Sequence, residues 1–214
     1  MNQITLGGLE AAAPAQRPTQ RALAKQRTRE KILASAKALF AERGYEAATI
    51  RDIAKAAGMS TGAVFASFTD KSDLFTEIAE TEQTELNQVM REAAGELVGR
   101  AAVVAMLDAA VDRHMREIAL FRAVMSALWT PNLGEKARRR LNRRPATALF
   151  AAALRPELAC AEAAGVDVTV VAEMVWDGYV ALIRRASLGG LTPETVKARM
   201  REQVRTILAG LRRK

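Results

Sequence analysis

The stretch that most constrains the fold runs from Thr49 to Phe68, where capping residues and a glycine divide the chain into two very short segments. Thr49 is a typical helix N-cap residue, and Asp52 follows three positions later as in a capping box. Gly58 can adopt the left-handed conformation of a sharp turn, and Ser60 can cap a second helix directly after it. Because helices this short are not stable alone, the pattern predicts a helix-turn-helix that packs against neighbouring helices.

The flanking sequence predicts the helices that complete this unit. A helix from Thr28 to Arg43 has its apolar residues on one stripe and ends at Gly44. Asp70 and Asp73 form another capping signature, which opens a fourth helix. The residues expected to face the shared core are Ile32, Leu33, Ala36, Leu39, Phe40, Ile50, Ile53, Ala54, Ala57, Val64, Phe68, Leu74, Phe75 and Ile78.

The rest of the chain shows helical patterning and no strand-hairpin signal. We predict two helices between Ala101 and Trp129, and a helical region over residues 134–164 that is interrupted near Pro145 and Pro156. Two final helices are predicted over Val168–Leu188 and Thr192–Leu211. The fold class is therefore all-α. The predicted domains are a disordered basic arm (residues 1–25), a helix-turn-helix domain (residues 26–71) and a larger helical domain (residues 72–214).

The charge and composition of the chain limit its partners and its chemistry. A net charge of +8 favours an anionic partner such as nucleic acid, although a membrane surface or an acidic substrate would also fit. The chain has one cysteine, Cys160, and one histidine, His114, which excludes an intramolecular disulfide and a metal site built mainly from imidazole and thiolate. Neither residue has a recognisable catalytic context, and we expect a buried thiol and a helix-surface imidazole.

The order of residues over about fifty positions of the N-terminal part resembles the tetracycline-repressor (TetR) family of bacterial transcription regulators. The matching residues are Ile32, Leu33, Ala36, Leu39, Phe40, Gly44, Tyr45, Thr49, Ile50, Ile53, Ala54, Ala57, Gly58, Met59, Ser60, Gly62, Phe65, Phe68, Lys71 and Leu74. The resemblance ends near Ile78. It implies an all-helical homodimer that binds double-stranded DNA through its first three helices. It also implies a small-molecule pocket in the larger helical part and a dimer interface formed by the last two helices.

The predicted DNA contacts follow from a third helix that enters the major groove with its N-terminal end leading. Hydroxyls at Ser60 and Thr61 can then meet base edges or phosphates, while Gly62 permits a close approach of the backbone. Thr49 and Lys71 begin neighbouring helices and are placed for phosphate contacts. The full set of predicted DNA-binding residues is Arg27, Thr49, Ser60, Thr61, Gly62, Ala63, Phe65, Ser67 and Lys71.

Two of these positions depart from the family pattern. Phe65 stands where a tyrosine is common, and Ser67 where a histidine or tyrosine is common. A phosphate hydrogen bond is then missing at Phe65, unless its ring packs in the core as aromatics at helical spacing often do. Arg27 belongs to a basic stretch that either follows phosphates or is simply solvated.

Bulky apolar residues of the larger part are candidates for a ligand cavity. Met is adaptable and Trp combines apolar area with a polar group, so the predicted ligand-binding residues are Met106, Met125, Trp129 and Trp176.

Apolar stripes on the last two helices predict a four-helix dimer interface. Those stripes comprise Val171, Met174, Val175, Val180, Leu182, Ile183, Val196, Met200, Val204, Leu208 and Leu211.

The arginine-rich run from Lys136 to Arg144 is interpreted as a solvated face. The alternatives are that it binds an anionic ligand or that it widens the surface in contact with DNA.

The sequence thus predicts a ligand-responsive transcription regulator. It would be a repressor that binds a palindromic operator as a homodimer and is released by a small-molecule effector. Two other classes remain open: a helical small-molecule carrier or enzyme with a vestigial DNA-binding head, and an architectural DNA binder without sequence specificity. We expect no enzymatic activity and no cofactor. The absence of a secretory signal and of a charge-free span of ~20 residues favours a cytoplasmic location.

Overall fold

The computed structural model describes residues 19–128, 130–141, 145–163 and 165–211, and every regular element within these ranges is a helix. The elements are α1 (Gln20–Ala47), α2 (Ile50–Ala56), α3 (Thr61–Phe65), α4 (Lys71–Ala94), α5 (Gly99–Arg116), α6 (Ile118–Ala127), a 3-10 turn (Pro131–Leu133), α7 (Glu135–Leu141), α8 (Pro145–Ala163), α9 (Val168–Ser187) and α10 (Pro193–Leu211). The all-α prediction is confirmed. None of the described helices combines the length and apolar character that a membrane crossing requires.

The first helix is longer than the sequence pattern predicts. Oγ1 of Thr19 accepts a hydrogen bond from the backbone N–H of Ala22 at 3.2 Å, which caps α1 at Gln20. Residues 20–25, assigned to the arm, are therefore helical. These residues are exposed, and they show no apolar stripe from which a helix could have been predicted. They consist of Ala, Leu, Lys, Gln and Arg, which are all good helix formers. The remaining residues of the arm, 1–18, lie outside the described ranges. At the other end, Gly44 has a φ of 80° and breaks the helical geometry where a stop was predicted.

Two clusters of buried apolar side chains form the interior, and α4 contributes to both. Leu74, Phe75 and Ile78 belong to the first cluster, which holds α1, α2 and α3 together. Leu86 and Met90 belong to the second cluster, which lies between α4, α5, α8, α9 and α10. The two interiors therefore divide inside α4, after Ile78.

The sixth and seventh helices also contribute to the first cluster. Leu120 and Ala127 of α6, Leu133 of the 3-10 turn and Ala137 of α7 are all buried in it. Because α6 packs along α1, the helix-turn-helix rests on the larger part of the protein through an apolar contact.

The last two helices use their apolar stripes inside the protomer. Val175 and Ile183 of α9 and Val196 and Val204 of α10 are fully buried against α5, α8 and each other. The prediction that these stripes form the dimer interface is therefore wrong for most of their residues. Helical periodicity shows that a face is buried, but not whether the covering surface comes from the same chain. Of the named residues, Met174 is the one that is largely exposed, at 52 %.

The eighth helix continues through Pro156, where an interruption was predicted. Pro156 and Ala152, whose carbonyl lacks its helical donor, both lie on the exposed face of α8. Water can therefore take the place of the missing N–H, so the helix continues. The predicted break near Pro145 is confirmed as the start of α8.

Candidate DNA-binding surface and ligand cavity

The helix-turn-helix forms as its capping residues predict. Oγ1 of Thr49 accepts a hydrogen bond from the backbone N–H of Asp52 at 3.1 Å, and its hydroxyl donates to Oδ2 of Asp52 at 2.6 Å. Gly58 has a φ of 64°, in the left-handed region that a Cβ disfavours. Oγ of Ser60 accepts from the backbone N–H of Ala63 at 3.2 Å and so caps α3. Local chemistry therefore sets where α2 and α3 begin and how sharply the chain turns between them.

The third helix has one face in the core and one face exposed. Val64 is fully buried and Phe68, just beyond α3, is 2 % exposed, whereas Phe65 is 55 % exposed. Thr61 and Gly62 are exposed on the same helix. The alternative that Phe65 is a core residue is therefore wrong, because Val64 and Phe68 already occupy the inner side. Of the other predicted contacts, Arg27, Thr49 and Ser60 are exposed, and Ala63, Ser67 and Lys71 are half-buried.

Gly62 is a residue that the fold itself does not require to be glycine. Its backbone has no positive φ. A Cβ built on it would find its nearest neighbour, Oγ of Ser60, at 3.7 Å, which is ordinary van der Waals contact. The missing side chain therefore leaves open space on the exposed face of α3 rather than relieving a clash inside the protein.

Lys71 has partners within the protein that the sequence did not reveal. Its Nζ donates to the backbone carbonyl oxygens of Tyr45, Ala48 and Glu46 at 2.8, 3.1 and 3.3 Å, and it lies 4.3 Å from the centre of the Tyr45 ring. An ammonium group has three donors, and all three are engaged here. In this geometry Lys71 fastens the link between α1 and α2, which carries Thr49, and does not reach outward to a phosphate.

A second fastening residue, Arg29, was missed by the sequence analysis. Its Nε donates to Oε1 of Glu77 at 3.2 Å, its Nη2 donates to the other oxygen of that carboxylate, and its Nη1 donates to the carbonyl of Ser67 at 2.6 Å. The guanidinium also lies 4.2 Å from the centre of the Phe68 ring. Arg29 thereby ties α1 to the end of α3 and to α4. Its spacing within α1 gives no local signal, because both partners are far away in sequence.

The surface around α3 is basic. Residues 20–71 contain ten Lys and Arg against five Asp and Glu. Arg27, Arg51 and Lys55 are exposed on α1 and α2, beside the turn. A surplus of positive charge on one part of a protein attracts polyanions and makes their binding depend on salt.

The larger part of the protein contains a cavity of about 180 Å³ between α4, α5, α6 and α9. Met125 and Trp176, two of the predicted ligand-binding residues, line it. Met106 does not, because it lies about two turns before Arg113 on α5 and is buried in the second cluster. Trp129 lies outside the described residues. The remaining apolar wall is formed by Ala79, Leu86, Leu120, Phe121, Val124, Leu128, Leu141 and Val180.

The histidine and the cysteine occupy environments opposite to those predicted. Cys160 is exposed on α8 rather than buried. His114 lines the cavity, where burial and the neighbouring Arg113 lower its pKa from 6.5 to about 4. The sequence pattern did not show which face of α5 carries His114 or which face of α8 carries Cys160. Within the part of the chain that the structure describes, no group of His, Cys, Asp and Glu side chains could hold a metal ion.

The His114 imidazole is held by a buried tyrosine. Its Nδ1 lies 2.5 Å from the hydroxyl oxygen of Tyr179, and its ring is 4.8 Å from that of Phe121. Burial raises the pKa of Tyr179 well above its ordinary value, so the phenol keeps its proton. Near neutral pH the hydrogen bond therefore joins two uncharged groups, and the tautomer of the imidazole sets which of them donates.

Beside the cavity, charged side chains connect α1 to the larger part of the protein. Lys37 of α1 donates to Oε1 of Glu82 at 2.6 Å, and its Nζ lies 2.9 Å from Oε2 of Glu117. Arg113 donates to Oε2 of Glu82 at 2.7 Å and pairs with Glu85 as well. Glu82, Glu117 and Arg113 line the cavity. We call these five residues the ionic cluster; it places one wall of the cavity in direct contact with the helix that supports the DNA-binding surface.

The arginines of α7 have partners of their own. Arg138 donates to the carbonyl of Thr130 at 2.7 Å, Arg139 pairs with Glu135 at 2.7 Å, and Arg140 makes a bidentate pair with Glu80. These contacts are consistent with the solvated-face interpretation of the run. Arg143 and Arg144, its last members, lie outside the described residues.

Comparison with known proteins finds likeness at the level of sequence in the N-terminal part. Residues 32–78 match the family described as bacterial regulatory proteins, tetR family. The chain is 33 % identical over 99 residues to the HTH-type transcriptional regulator AcrR of Shigella flexneri, a match that covers 44 % of this chain and 46 % of AcrR. It is 42 % identical over 65 residues to the HTH-type transcriptional repressor AcnR of Corynebacterium glutamicum, which covers 30 % of this chain and 35 % of AcnR. The chain thus matches less than half the length of these curated relatives.

Comparison of structures extends the likeness to nearly the whole chain. The fatty acid degradation regulator FadR of Bacillus halodurans superposes with a TM-score of 0.69 at 18 % identity, over 87 % of this chain and 97 % of that one. The transcriptional regulator FadR of Bacillus subtilis, solved in complex with stearoyl-CoA, gives a TM-score of 0.68 at 14 % identity, over 85 % and 98 % of the two chains. At these identities the likeness shows a common fold.

Proposed function

We propose that this chain is a ligand-responsive transcription regulator of the TetR family, because its residues 32–78 match that family and AcrR is 33 % identical to it over 99 residues. In this proposal it acts in the cytoplasm as a homodimeric repressor. The α3 helix of each protomer enters the major groove at one half of a palindromic operator. A small-molecule effector in the cavity then lowers the affinity for the operator, and the protein catalyses no reaction.

The observation that carries the proposal is the outer face of α3. Phe65 is a large apolar side chain that is 55 % exposed, and Thr61 and Gly62 beside it are exposed too. An aromatic ring can contact the methyl group of thymine, and a threonine hydroxyl can bond to base edges or to phosphates. The basic surplus of residues 20–71 would supply the attraction to the DNA backbone.

The other predicted DNA-binding residues differ in how directly they could contact DNA. Thr49 and Ser60 are exposed at the N-termini of α2 and α3, where free backbone N–H groups attract phosphates. Ala63 and Ser67 are half-buried beside Phe65, and Arg27 is exposed on α1, so all three can lie at the edge of the footprint. Lys71 contributes indirectly in this proposal, because its three donors fasten the α1–α2 link.

The first experiment is a selection of bound duplexes from a random pool, followed by titration of the best sequence at two salt concentrations. A palindrome with a steep salt dependence is the expected result. If no sequence is enriched although DNA binds, the protein is an architectural binder. If no DNA binds, the carrier class takes its place.

The second experiment replaces Gly62 on that operator. Gly62→Ala has room for its methyl group in the free protein, so its unfolding free energy should stay unchanged or rise by up to about 1 kcal/mol. On DNA the methyl group occupies the space of close approach, and we expect affinity to fall by roughly tenfold or more. Gly210→Ala on α10 is the matched control, since a Cβ there meets nothing within 4 Å and should leave operator affinity unchanged. Equal operator affinity of both variants and the wild type would place α3 outside the interface.

The proposed homodimer rests on a remaining apolar strip of α9. Val170 and Met174 are 49 % and 52 % exposed one helical turn apart, and Ala181 is exposed on the same side. This strip lies on the side of α9 opposite to the side that packs in the second cluster. A second copy of the chain that packs its own strip there would give a two-fold interface.

A further inference from the structure

The cavity carries an excess of negative charge. Glu82, Glu117 and Asp177 line it, while Arg113 is the one Lys or Arg among its lining residues in the described part of the chain. Lys37 adds a second positive charge beside it, but Glu85 adds a further carboxylate to the ionic cluster. The ionic cluster therefore has three carboxylates for two cations.

The rest of the lining suits an apolar body rather than a second polar group. Phe121 and Trp176 present aromatic rings, and His114, with its pKa lowered to about 4, is uncharged near neutral pH. Aromatic faces attract organic cations, most strongly where water is excluded. The volume of about 180 Å³ is above that of engineered cavities that hold a single benzene ring, and a neighbouring cavity of about 710 Å³ shares six of its lining residues, so an aromatic ring with a small substituent fits.

Lys37 serves two carboxylates at once. Its Nζ donates to Oε1 of Glu82 at 2.6 Å and lies 2.9 Å from the buried Oε2 of Glu117. A cation inside the cavity would thus meet carboxylates that share one ammonium group, and it would compete with that group for them.

We propose that the cavity binds a small organic cation with an aromatic or apolar body, and that this cation competes with Lys37 for Glu117 and Glu82. This inference rests on the proposed function, because it names the chemical class of the effector and the contact through which it acts. Lys37 belongs to α1, which packs on α2, and α2 packs on α3. Loss of its two carboxylate partners would remove one ionic tie of α1 to α4 and to the start of α6, and so let α1 and the surface it supports shift.

The binding test uses the full chain without DNA and two probes of nearly equal shape. Benzyltrimethylammonium carries a positive charge, and 2-methyl-1-phenylpropan-2-ol has a neutral carbon in place of its nitrogen and a hydroxyl in place of one methyl group. Titration calorimetry should show roughly tenfold tighter binding of the cation. Equal or tighter binding of the alcohol to the wild-type protein would overturn the inference, and this comparison needs no variant.

Three variants then test which charged side chains cause the preference for the cation. Glu117→Gln should lower the affinity for the cation about tenfold and leave the affinity for the alcohol unchanged. Glu202→Gln is the matched control, because it removes a carboxylate of α10 that belongs neither to the ionic cluster nor to the cavity lining, and it should preserve the preference for the cation. Lys37→Met should raise the affinity for the cation, since the competing ammonium is gone. A cation affinity that falls in Lys37→Met or is unchanged in Glu117→Gln would refute the competition.

The regulatory step is tested separately, so that its failure can be told from failure of the proposed function. With a selected operator in hand, benzyltrimethylammonium should weaken operator binding by the wild-type protein and have less effect on Lys37→Met. If the operator binds but the cation leaves its affinity unchanged, the inference about the effector falls and the DNA-binding function stands. If no operator is found, the function falls, while the calorimetric comparison still decides whether the cavity selects cations.

Discussion

The burial of His114 predicts a specific loss of stability in mild acid. Its pKa is about 4 in the folded protein, and it returns to about 6.5 when the chain unfolds. Above pH 6.5 both states are neutral and the residue makes no difference. As the pH falls below 6.5, His114 of the unfolded chain binds a proton, whereas His114 of the folded protein stays neutral. The unfolding free energy therefore falls until the pH reaches the pKa of His114 in the folded protein, about 4.

The size of this effect follows from the pKa difference. One pKa unit corresponds to about 1.4 kcal/mol, so the complete loss is about 3 kcal/mol per protomer, and about 2 kcal/mol of it falls between pH 7 and pH 5. Carboxylates with lowered pKa values, Glu117 among them, lose stabilisation in acid as well. The comparison must therefore be made against a variant in which only the imidazole is removed.

His114→Asn is that variant, because an amide can accept a hydrogen bond from the Tyr179 hydroxyl or donate one to it, but does not titrate. Urea unfolding of both proteins at one protein concentration should show that the wild type loses about 2 kcal/mol more than the variant between pH 7 and pH 5. The single histidine also gives one imidazole signal in NMR, whose titration midpoint should lie near 4. Equal losses in the two proteins, or a midpoint near 6.5, would refute the reasoning.

Three further perturbations address the DNA-binding surface and the dimer. Phe65→Tyr adds a hydroxyl to an exposed ring and should tighten operator binding by about 0.5–1.5 kcal/mol if the ring faces a phosphate; unchanged or weaker affinity in a filter-binding titration would mean that it does not. Lys71→Met should lower the unfolding free energy by about 1–2 kcal/mol and leave the salt dependence of operator binding unchanged, because the ammonium fastens backbone carbonyls; a salt slope shallower by about one charge per protomer would return Lys71 to the phosphate contacts. Met174→Glu places a charge on the exposed strip of α9 and should shift sedimentation toward the monomer, whereas Glu173→Gln beside it should not; a Met174→Glu protein that remains as dimeric as the wild type would move the interface elsewhere.

The sequence predicted those parts of the structure that depend on chemistry within a few residues. Thr49, Gly58 and Ser60 act where they were placed, since a cap or a left-handed turn needs only its neighbours in the chain. Val64 and Phe68 were correctly assigned to the core, because helical spacing tells one face from the other. The position of α3 and its exposed face therefore followed from the sequence.

Features that depend on distant residues did not follow. Lys37 and Arg29 look like ordinary helix-surface cations, and only the fold brings Glu82, Glu117 and Glu77 to them. Similarly, periodicity could not decide whether the stripes of α9 and α10 meet their own chain or a second copy. The cavity was predicted in part: Met125 and Trp176 line it, but its carboxylates were not recognised.

The first cluster has a consequence for how the protein is made. Its side chains come from α1 to α4 and, much later in the chain, from Leu120, Ala127, Leu133 and Ala137. Synthesis proceeds from the N-terminus at about 5–20 residues per second, so several seconds pass between the appearance of Ile78 and that of Ala137. During this interval the N-terminal helices have emerged but lack part of their cover, with Phe40 and Phe75 within reach of chaperones or of other nascent chains. The apolar interior around the helix-turn-helix is therefore completed only after α6, the 3-10 turn and α7 have been synthesised.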